Sequence, residues 1–490
     1  MNKPSSYDTK RIRHNQYIVL VVILILAYLI LGTGLHGDDN TVIHSMQNYG
    51  ILDFFSFDPS KMGLSIFGLI NYYLFWWAYP VFEYEFQLPY DVIKIVAHTI
   101  SVYFVYKFFI DYFPKDRAIL VAFIFVLYPL HETTTYWYMT TPYVFWPSVI
   151  LFSHYLIRNN MIIYGVLALL LGSFSFYASP PSIFGLAVIF FLPGLLYVVY
   201  YFWIKFNYVG VERRINADLG TLDFLKQMLI QPLSFLESAI GPSYWLKAFY
   251  AIESISLVSV IIASVISIFV FLKVQKISKT LVFPKSLLIG LISVLVLSFG
   301  MYALTGLYAH SAFNLGNRST VYGSLFVAFL LVALLPANKK SAVFLLIIFL
   351  VPVFGLSDHW KSWNSHQKIA IKNIKNNQDL KEIEPDSTLI VTGNIYSKLG
   401  PFAHIEFFSM PWNVNAIFQD SVKTKNIVAL TPYVKIEGDY IIDPKFGGKY
   451  SLRNKLYVYE SENNLVRSIS FIDVPELIKQ QPIIVRHWVQ

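Results

Sequence analysis

Residues 17–31 read YIVLVVILILAYLIL, and residues 34–40, which follow them closely, read GLHGDDN. The uncharged run lasts until Asp38 and is long enough for a helix to cross the hydrocarbon core of a bilayer. Asp38 and Asp39 therefore lie where the chain leaves the membrane. Two adjacent carboxylates beside hydrocarbon favour protonation, so we expect one of them to have a raised pKa unless a cation or metal lies nearby.

Two interpretations of this aspartate pair are open. A carboxylate with a raised pKa can act as a general base at neutral pH, and we prefer Asp39 as the base with Asp38 as its partner or a ligand. In the simpler interpretation, Asp38 caps a helix that starts at Asn40, and Asp39 is solvated.

The composition indicates an integral membrane protein with several spans. Of 490 residues, 56% are hydrophobic, 17% are aromatic and only 14% are charged. There is no cysteine, which excludes disulfides and cysteine-ligated metals. The net charge of +8 comes from basic residues in short loops between apolar stretches, so it does not indicate nucleic-acid binding. The first apolar run is too long for a cleavable signal peptide and lacks a small-residue cleavage site.

The charges around the first span predict its orientation. Basic residues precede it, which places the N-terminus in the cytoplasm and the aspartate pair outside. A long first outer loop then covers about residues 34–90, with two amphipathic stretches, Thr41–Ile51 and Met62–Ala78, that we expect to lie in the interface. The polar side of this loop contains Asp53, Asp58, Lys61, Glu83 and Glu85.

The remaining apolar stretches predict about eleven transmembrane helices. The clear spans after the first are Val92–Ile110, Ala118–Leu130, Tyr143–Arg158, one ending near Tyr177, one ending near Lys205, Ala251–Leu272, Ser286–Leu307, Ser319–Leu335 and Ala342–Phe354. The lysines between 273 and 285 and at 339–340 lie on the cytoplasmic side only if one weak, polar crossing exists within Thr221–Tyr244. The C-terminal tail is then outside.

On this topology the polar clusters share the outer face. They are Asp38–Asp39, His131–Glu132, the turn Ser179–Pro181 and Asn314–Arg318. Arg318 opens an apolar span, where it either reaches the headgroups or binds phosphate through its planar guanidinium. His36, His44, His131 and His310 could ligate a metal in principle, but they lack helical ligand spacing, which favours structural or solvated roles.

The composition changes near residue 358 and predicts two domains. Residues 1–357 form the transmembrane module, and residues 358–490 form a small α+β outer domain that can bury a core of its own. An amphipathic helix is expected over Trp360–Ile383. Predicted strands are Ser387–Thr392, Lys455–Tyr459, Val466–Ile472 and Ile483–Trp488.

An acidic pair after the first span, a late outer-face arginine and a terminal outer domain resemble the GT-C membrane glycosyltransferases. Within that superfamily the layout is most similar to the phage-type serotype-converting O-antigen glucosyltransferases. The resemblance implies a polyprenyl-phosphate sugar as donor, with its lipid chain in an apolar groove between spans. It implies that Asp38 or Asp39 is the catalytic carboxylate, acting as base towards the acceptor hydroxyl, and that Arg318 stabilises the departing phosphate. Expected sugar or acceptor contacts are His131, Glu132, Tyr136, Glu83 and Glu85.

The expected reaction moves a sugar, with glucose as first choice, to a cell-surface glycan such as lipopolysaccharide O-antigen. It would occur at the periplasmic face of the bacterial inner membrane, among membrane lipids, with a flippase supplying the donor and without nucleic acid. No cofactor is implied with certainty, no metal cage is evident, and a divalent cation is left open. A transferase that modifies lipid A, a wall polymer or a protein from another lipid-linked donor is the alternative. A secondary transporter fits less well, because it would carry its charges near the bilayer midplane.

Overall fold

A computed structural model describes most of the chain. The described residues are 20–46, 74–173, 220–273, 278, 285–303, 309–431, 433–444 and 447–481. The sixth predicted span, the turn Ser179–Pro181, Asp53, Asp58, Lys61 and the strand Ile483–Trp488 lie outside these residues.

Apolar helices make up the first three quarters of the described chain. In order they are α1 (Leu20–Ile30), α2 (Asp39–Met46), α3 (Leu88–Phe109), α4 (Lys115–Val126), α5 (Thr133–Tyr136), α6 (Pro142–Arg158), α7 (Ile162–Ser173), α8 (Thr221–Ala239), α9 (Pro242–Glu253), α10 (Leu257–Lys273), α11 (Lys285–Ala303), α12 (Val321–Leu334) and α13 (Lys339–Asn376). Short 3₁₀ helices are Trp76–Ala78, Pro129–His131, Tyr138–Thr140 and Leu315–Thr320. Proline opens several of the α-helices, where its missing N–H costs nothing.

Four helical segments in the described part are long and apolar enough to cross a membrane. They are Leu88–Phe109, Lys285–Ala303, Leu315–Leu334 and Val343–Asn376. A bent pair, Thr221–Glu253 with Leu257–Phe269, becomes a fifth if it is one span broken by 112°. The predicted count of about eleven is therefore not confirmed.

Several predicted spans correspond to shorter helices. The segment predicted over Ala118–Leu130 is the 12-residue helix α4, which is only about 18 Å long. The weak crossing within Thr221–Tyr244 is two helices, α8 and the start of α9. The span predicted from Ala251 begins at Leu257, because α9 continues to Glu253 before the chain bends.

Helix α8 has an outward apolar face. Its exposed side chains follow a helical spacing and are Leu222, Leu225, Leu229, Leu233 and Leu236. Its buried face carries Gln231, Ser234 and Phe235. Exposed leucines on one helical face are typical of a lipid-facing surface, so Gln231 and Ser234 on the opposite face point into the protein.

Helix α13 runs across the predicted domain boundary. It runs through 38 residues, about 57 Å, and joins the predicted span Ala342–Phe354 to the helix predicted from Trp360. Residue 357 therefore lies inside a helix. Gly355 lies where α13 meets α9, since a Cβ there would lie 1.7 Å from the Ala251 carbonyl oxygen. That glycine serves close helix packing and does not end the helix.

The C-terminal region is a small α/β unit. Its elements are α14 (Gln378–Lys381), β1 (Ser387–Thr392), β2 (Tyr396–Leu399), β3 (Phe402–Glu406), α15 (Pro411–Phe418), β4 (Asn426–Ala429), β5 (Lys435–Glu437), β6 (Tyr440–Asp443), β7 (Gly448–Ser451), β8 (Lys455–Glu460), β9 (Leu465–Ile469) and α16 (Val474–Lys479). The main sheet has the order β4-β1-β8-β9, in which β1 pairs in parallel with both β4 and β8. The pairs β8–β9, β2–β3, β5–β6 and β6–β7 are antiparallel, so the small mixed unit of helices and strands predicted here is present, with a parallel part around β1 that was not expected.

One hydrophobic core joins this unit to the rest of the chain. It includes Leu35 and Ile43 near the aspartate pair, Ile374 at the end of α13, and Leu389 and Phe407 of the C-terminal unit. The C-terminal unit therefore packs directly on the segment that follows α1.

Candidate active site

Three glycines shape the turn between α1 and α2. Gly32, Gly34 and Gly37 have φ values of +89°, +65° and +50°, which L side chains rarely adopt. A Cβ on Gly34 would lie 2.1 Å from Oε1 of Gln87 and 2.3 Å from Nδ2 of Asn364. Only glycine fits at position 34, which lets the chain fold back tightly at the end of α1.

A buried ion pair in α3 holds this turn. Asp91 accepts hydrogen bonds from the backbone N–H groups of Gly32 (2.7 Å) and Gly34 (3.0 Å). Lys94 donates to the Thr33 hydroxyl (2.7 Å) and to the carbonyl oxygens of Gly34 (2.9 Å) and Tyr136 (2.8 Å). The pair therefore satisfies backbone groups of the turn that would otherwise be buried without partners.

Asp39 is fully buried, and both its oxygens accept hydrogen bonds. Oδ1 accepts from the Tyr79 hydroxyl (2.6 Å) and the Met139 N–H (3.2 Å), and Oδ2 accepts from the His36 N–H (2.9 Å). Burial raises the pKa of Asp39 to about 7, against the opposing effect of these donors. Helix α2 begins at Asp39, one residue before the predicted start, and the carboxylate is not solvated as the simpler interpretation held.

Asp38 is partly exposed and contacts the C-terminal unit. Its Oδ1 accepts a hydrogen bond of 2.7 Å from the indole Nε1–H of Trp412 in α15. Beside this contact, the Thr41 hydroxyl donates to Oδ1 of Asn413 at 2.6 Å. Of the two aspartates, Asp38 is the one that a substrate can reach.

Arg318 lies close to the same segment. Its guanidinium carbon is 5.2 Å from the centre of the Trp137 ring, and its Nη1 donates to the Leu315 carbonyl at 2.7 Å. A Cβ on Gly37 would lie 3.1 Å from Leu315 Cδ1 and 3.2 Å from Trp137 Cζ2. The residue before Asp38 and the guanidinium of Arg318 therefore both pack on Trp137 and Leu315. Arg318 itself is partly exposed.

Glu132 is the centre of a buried polar cluster. Its carboxylate pairs with the Lys247 ammonium, accepts from Asn317 Nδ2 (2.8 Å) and lies 3.1 Å from His404 Nε2. Burial acts to raise its pKa, but Lys247 and His404 outweigh that effect and lower it. The cluster ties α9, the 3₁₀ helix before α12 and strand β3 to one side chain.

The other predicted sugar contacts fall into two groups. His131 and Tyr136 are buried, with His131 bonded to the Thr134 hydroxyl and the Phe125 carbonyl (2.8 Å each). Glu83 and Glu85 are exposed, and Glu85 pairs with Lys375 near the end of α13. Their roles in binding sugar stay predictions, and the burial of the first two favours support of the site.

His36, His44, His131 and His310 each contact other parts of the protein. Among the described residues there is no group of three acidic or histidine side chains able to hold a metal. His36 packs edge-on against Trp360, and burial lowers its pKa to about 3. His44 bonds to Gln419, and His310 is buried against Phe235.

Several residues that build this region were missed in the sequence. They are Asp91, Lys94, Lys247, His404 and Trp412. Asp91 and Lys94 offered a signal, because two opposite charges three residues apart within an apolar span are rare and usually functional. His404 and Trp412 offered none, since their contacts join positions far apart in the chain.

An apolar groove runs between α10 and α13. It has a volume of about 370 Å³ and is lined by Ile255, Val260, Ala263, Ser264, Ser267, Ile268, Ile347 and Val351. At one end, Asp358 Oδ2 accepts a hydrogen bond from the Ser256 N–H at 2.7 Å. The groove therefore leads to the part of α13 that also bonds the Gly32 turn through Asn364.

Comparison of the chain with protein-family models, with characterised proteins and with solved structures finds no match.

Proposed function

We propose that this protein is a membrane glycosyltransferase that moves a sugar from a polyprenyl-phosphate donor to a glycan acceptor. The observation that carries the proposal is that Gly37, the residue before Asp38, and the Arg318 guanidinium both pack against one indole, Trp137. A carboxylate and a guanidinium at a partly exposed site match the two charges that such a transfer needs. The apolar helices around them would hold the lipid.

In this proposal Asp38 is the general base, and Asp39 supports it. A base has to reach the acceptor hydroxyl within hydrogen-bond distance. Asp38 is partly exposed, whereas Asp39 is fully buried and its oxygens already accept three hydrogen bonds. The preference for Asp39 as the base is therefore reversed.

The reaction balances with these two groups. Asp38 takes the proton of the acceptor hydroxyl. The oxygen of that hydroxyl bonds to the anomeric carbon of the donor sugar at the same time. The bond from that carbon to the phosphate oxygen breaks, and the lipid phosphate leaves with the electron pair. The Arg318 guanidinium would stabilise the growing negative charge, for which its planar N–H fork is suited.

The apolar groove between α10 and α13 would take part of the polyprenyl chain, since six of its eight lining residues are aliphatic. We propose the periplasmic face of the bacterial inner membrane as the location, glucose as the sugar and lipopolysaccharide O-antigen as the acceptor. A flippase would supply the donor at that face. Residues 17–46, with their basic flank before α1 and acidic pair after it, support this orientation.

The test is transfer of radiolabelled sugar from a panel of polyprenyl-phosphate sugars to lipopolysaccharide by the purified protein in lipid nanodiscs. Asp38→Asn keeps the side-chain size and can still accept the Trp412 N–H, so the fold should survive. Loss of the base should lower the rate about a hundred- to ten-thousandfold. Asp386→Asn, which changes an exposed carboxylate before β1, is the matched control and should transfer within about twofold of wild type.

Transfer by Asp38→Asn at the wild-type rate would contradict the proposal. If the wild-type protein consumes none of the sugar donors, transfer from a different lipid-linked donor becomes the better account. Uptake of a solute by proteoliposomes, without any transfer, would indicate a transporter.

A further inference from the structure

The C-terminal unit, which the proposed function places outside the membrane and which we call the outer unit, contributes a side chain directly to the candidate site. Trp412 lies in the first turn of α15, and its Nε1–H donates to Oδ1 of Asp38 at 2.7 Å. The two residues are 374 positions apart in the chain. About 39% of the Trp412 side chain stays exposed, so the indole is bonded at its nitrogen while part of its ring faces solvent.

The neighbours of Trp412 in α15 hold it in place. Asn413, the next residue, is fully buried and accepts the Thr41 hydroxyl hydrogen bond from α2. Val414 and Phe418 of α15 belong to the core that joins the outer unit to the aspartate segment. At the far end of α15, Gln419 bonds to His44 at 3.1 Å. These contacts hold α15 along α2 and keep the indole beside Asp38.

We propose that Trp412 has two roles in the function proposed above: it orients the Asp38 carboxylate, and its exposed ring binds the acceptor sugar. A pyranose ring presents an apolar face of C–H groups and a rim of hydroxyls. An exposed indole next to a carboxylate offers an apolar face and a hydrogen-bond acceptor in the matching arrangement. The acceptor hydroxyl would thus reach Asp38 from the side of the outer unit.

This assignment also separates the two substrates. Gly37, the residue before Asp38, packs towards Trp137, and the Arg318 guanidinium lies 5.2 Å from the centre of the same ring. The donor phosphate would bind beside Arg318, and the acceptor glycan would bind beside Trp412. Asp38, which bonds Trp412 and directly follows Gly37, would then contact both substrates, as a transfer between two bound groups requires. The outer unit would therefore select the acceptor, while the helices select the donor.

Two substitutions separate the two roles of Trp412. Trp412→Phe keeps an aromatic ring but removes the N–H donor, so kcat should fall about tenfold while the acceptor KM stays within about twofold. Trp412→Ala removes both features, so the acceptor KM should also rise about tenfold or more. The KM for the donor should not change in either variant. Trp245→Ala, which removes an indole exposed on α9, is the matched control and should leave all three constants unchanged.

A binding measurement keeps this inference distinct from the proposed function. O-antigen oligosaccharides released from lipopolysaccharide are titrated into the protein without any donor, and binding is followed by calorimetry. Binding to wild type that weakens about tenfold in Trp412→Ala, but not in Trp245→Ala, supports sugar binding by the Trp412 ring even if no donor is ever consumed. Equal binding by wild type and Trp412→Ala, or no binding by wild type, would overturn it. So would a rise in the acceptor KM in Trp245→Ala as large as in Trp412→Ala, which would indicate membrane anchoring by indoles.

Discussion

The Lys94 ammonium lies 2.9 Å from Oδ1 of Asp91, and neither side chain has more than 4% of its surface exposed. A pair of opposite charges this deeply buried depends on each partner for compensation. Both groups also bond the backbone of the Gly32–Gly34 turn. Loss of either charge would therefore also disturb the turn that leads to Asp38.

Lys94→Met should therefore be strongly destabilising. The substitution leaves the Asp91 charge without its buried partner, which costs on the order of 3–5 kcal/mol. The thermal unfolding midpoint of the protein in detergent should fall clearly. Adding Asp91→Asn should recover part of the loss, since the double variant buries no charge at this pair. Lys375→Met, which breaks the exposed pair with Glu85, should change stability by less than about 1 kcal/mol.

Gly34→Ala should damage both folding and activity. A methyl group at this φ of +65° meets the strain of the left-handed region, about 1 kcal/mol, and also overlaps Gln87 and Asn364. Gly438→Ala is the matched control, because Gly438 has a φ of +57° but nothing within 4 Å of the added carbon. The losses in unfolding free energy of the two variants should differ by the cost of the overlap, on the order of 1–3 kcal/mol, and Gly34→Ala should have the lower unfolding midpoint. Equal midpoints would show that the turn relaxes freely.

The stability of the wild-type protein should depend on pH through Asp39. The folded-state pKa of about 7 lies above the ordinary value of 3.8, so the folded protein binds this proton more tightly than the unfolded chain. The resulting stabilisation, roughly 4 kcal/mol for this difference, is full below about pH 4 and is lost as pH rises through 7. Asp39→Asn has no proton to lose. Its unfolding midpoint, measured from pH 5 to 8, should therefore fall less with rising pH than that of wild type, and parallel curves would contradict the prediction.

Glu132→Gln tests whether this residue contacts sugar or joins elements. The substitution leaves Lys247 charged and buried, so it should destabilise the protein by about 3–5 kcal/mol. Adding Lys247→Met should restore much of the unfolding midpoint. Recovery of transfer together with stability would assign Glu132 to support of the fold. A stable but inactive double variant would favour the predicted sugar contact.

Arg318→Lys should lower transfer although it keeps the charge. An ammonium cannot make the paired contact of a guanidinium with phosphate, nor stack flat on Trp137. The expected loss is on the order of 3 kcal/mol of transition-state stabilisation, or about a hundredfold in rate. Normal turnover by Arg318→Ala, at normal expression, would instead favour a headgroup contact for this arginine.

The importance of the aspartate pair could be predicted from its place after the first apolar run, but the division of roles could not. Which of Asp38 and Asp39 is buried depends on Tyr79 and Met139, which approach from other parts of the chain. Hydropathy likewise located α3, α11 and α12, because long apolar helices dominate a window average. The same averaging concealed Asp91 and Lys94 within α3.

The length of α13 could not be predicted for a related reason. The change in composition at Asp358 was interpreted as a break, yet a helix can change from apolar to polar surroundings without ending. In α13, Ser357 bonds the Leu29 carbonyl and Lys361 bonds the Tyr28 carbonyl, so the polar residues face α1. The strands β1 and β8 were predicted correctly by their β-branched and aromatic content.

The length of α13 also bears on the order in which the protein matures. About five sixths of the chain is synthesised before Trp412. Asp38 therefore lacks this hydrogen-bond donor until late in synthesis. Contacts between such distant positions form slowly, because a large loop must close first. The continuous helix shortens that search, because α13 is made before Trp412, packs on α1 and leads directly into the outer unit. Under the inference drawn above, acceptor binding would switch on only when the last segment of the chain has crossed and folded.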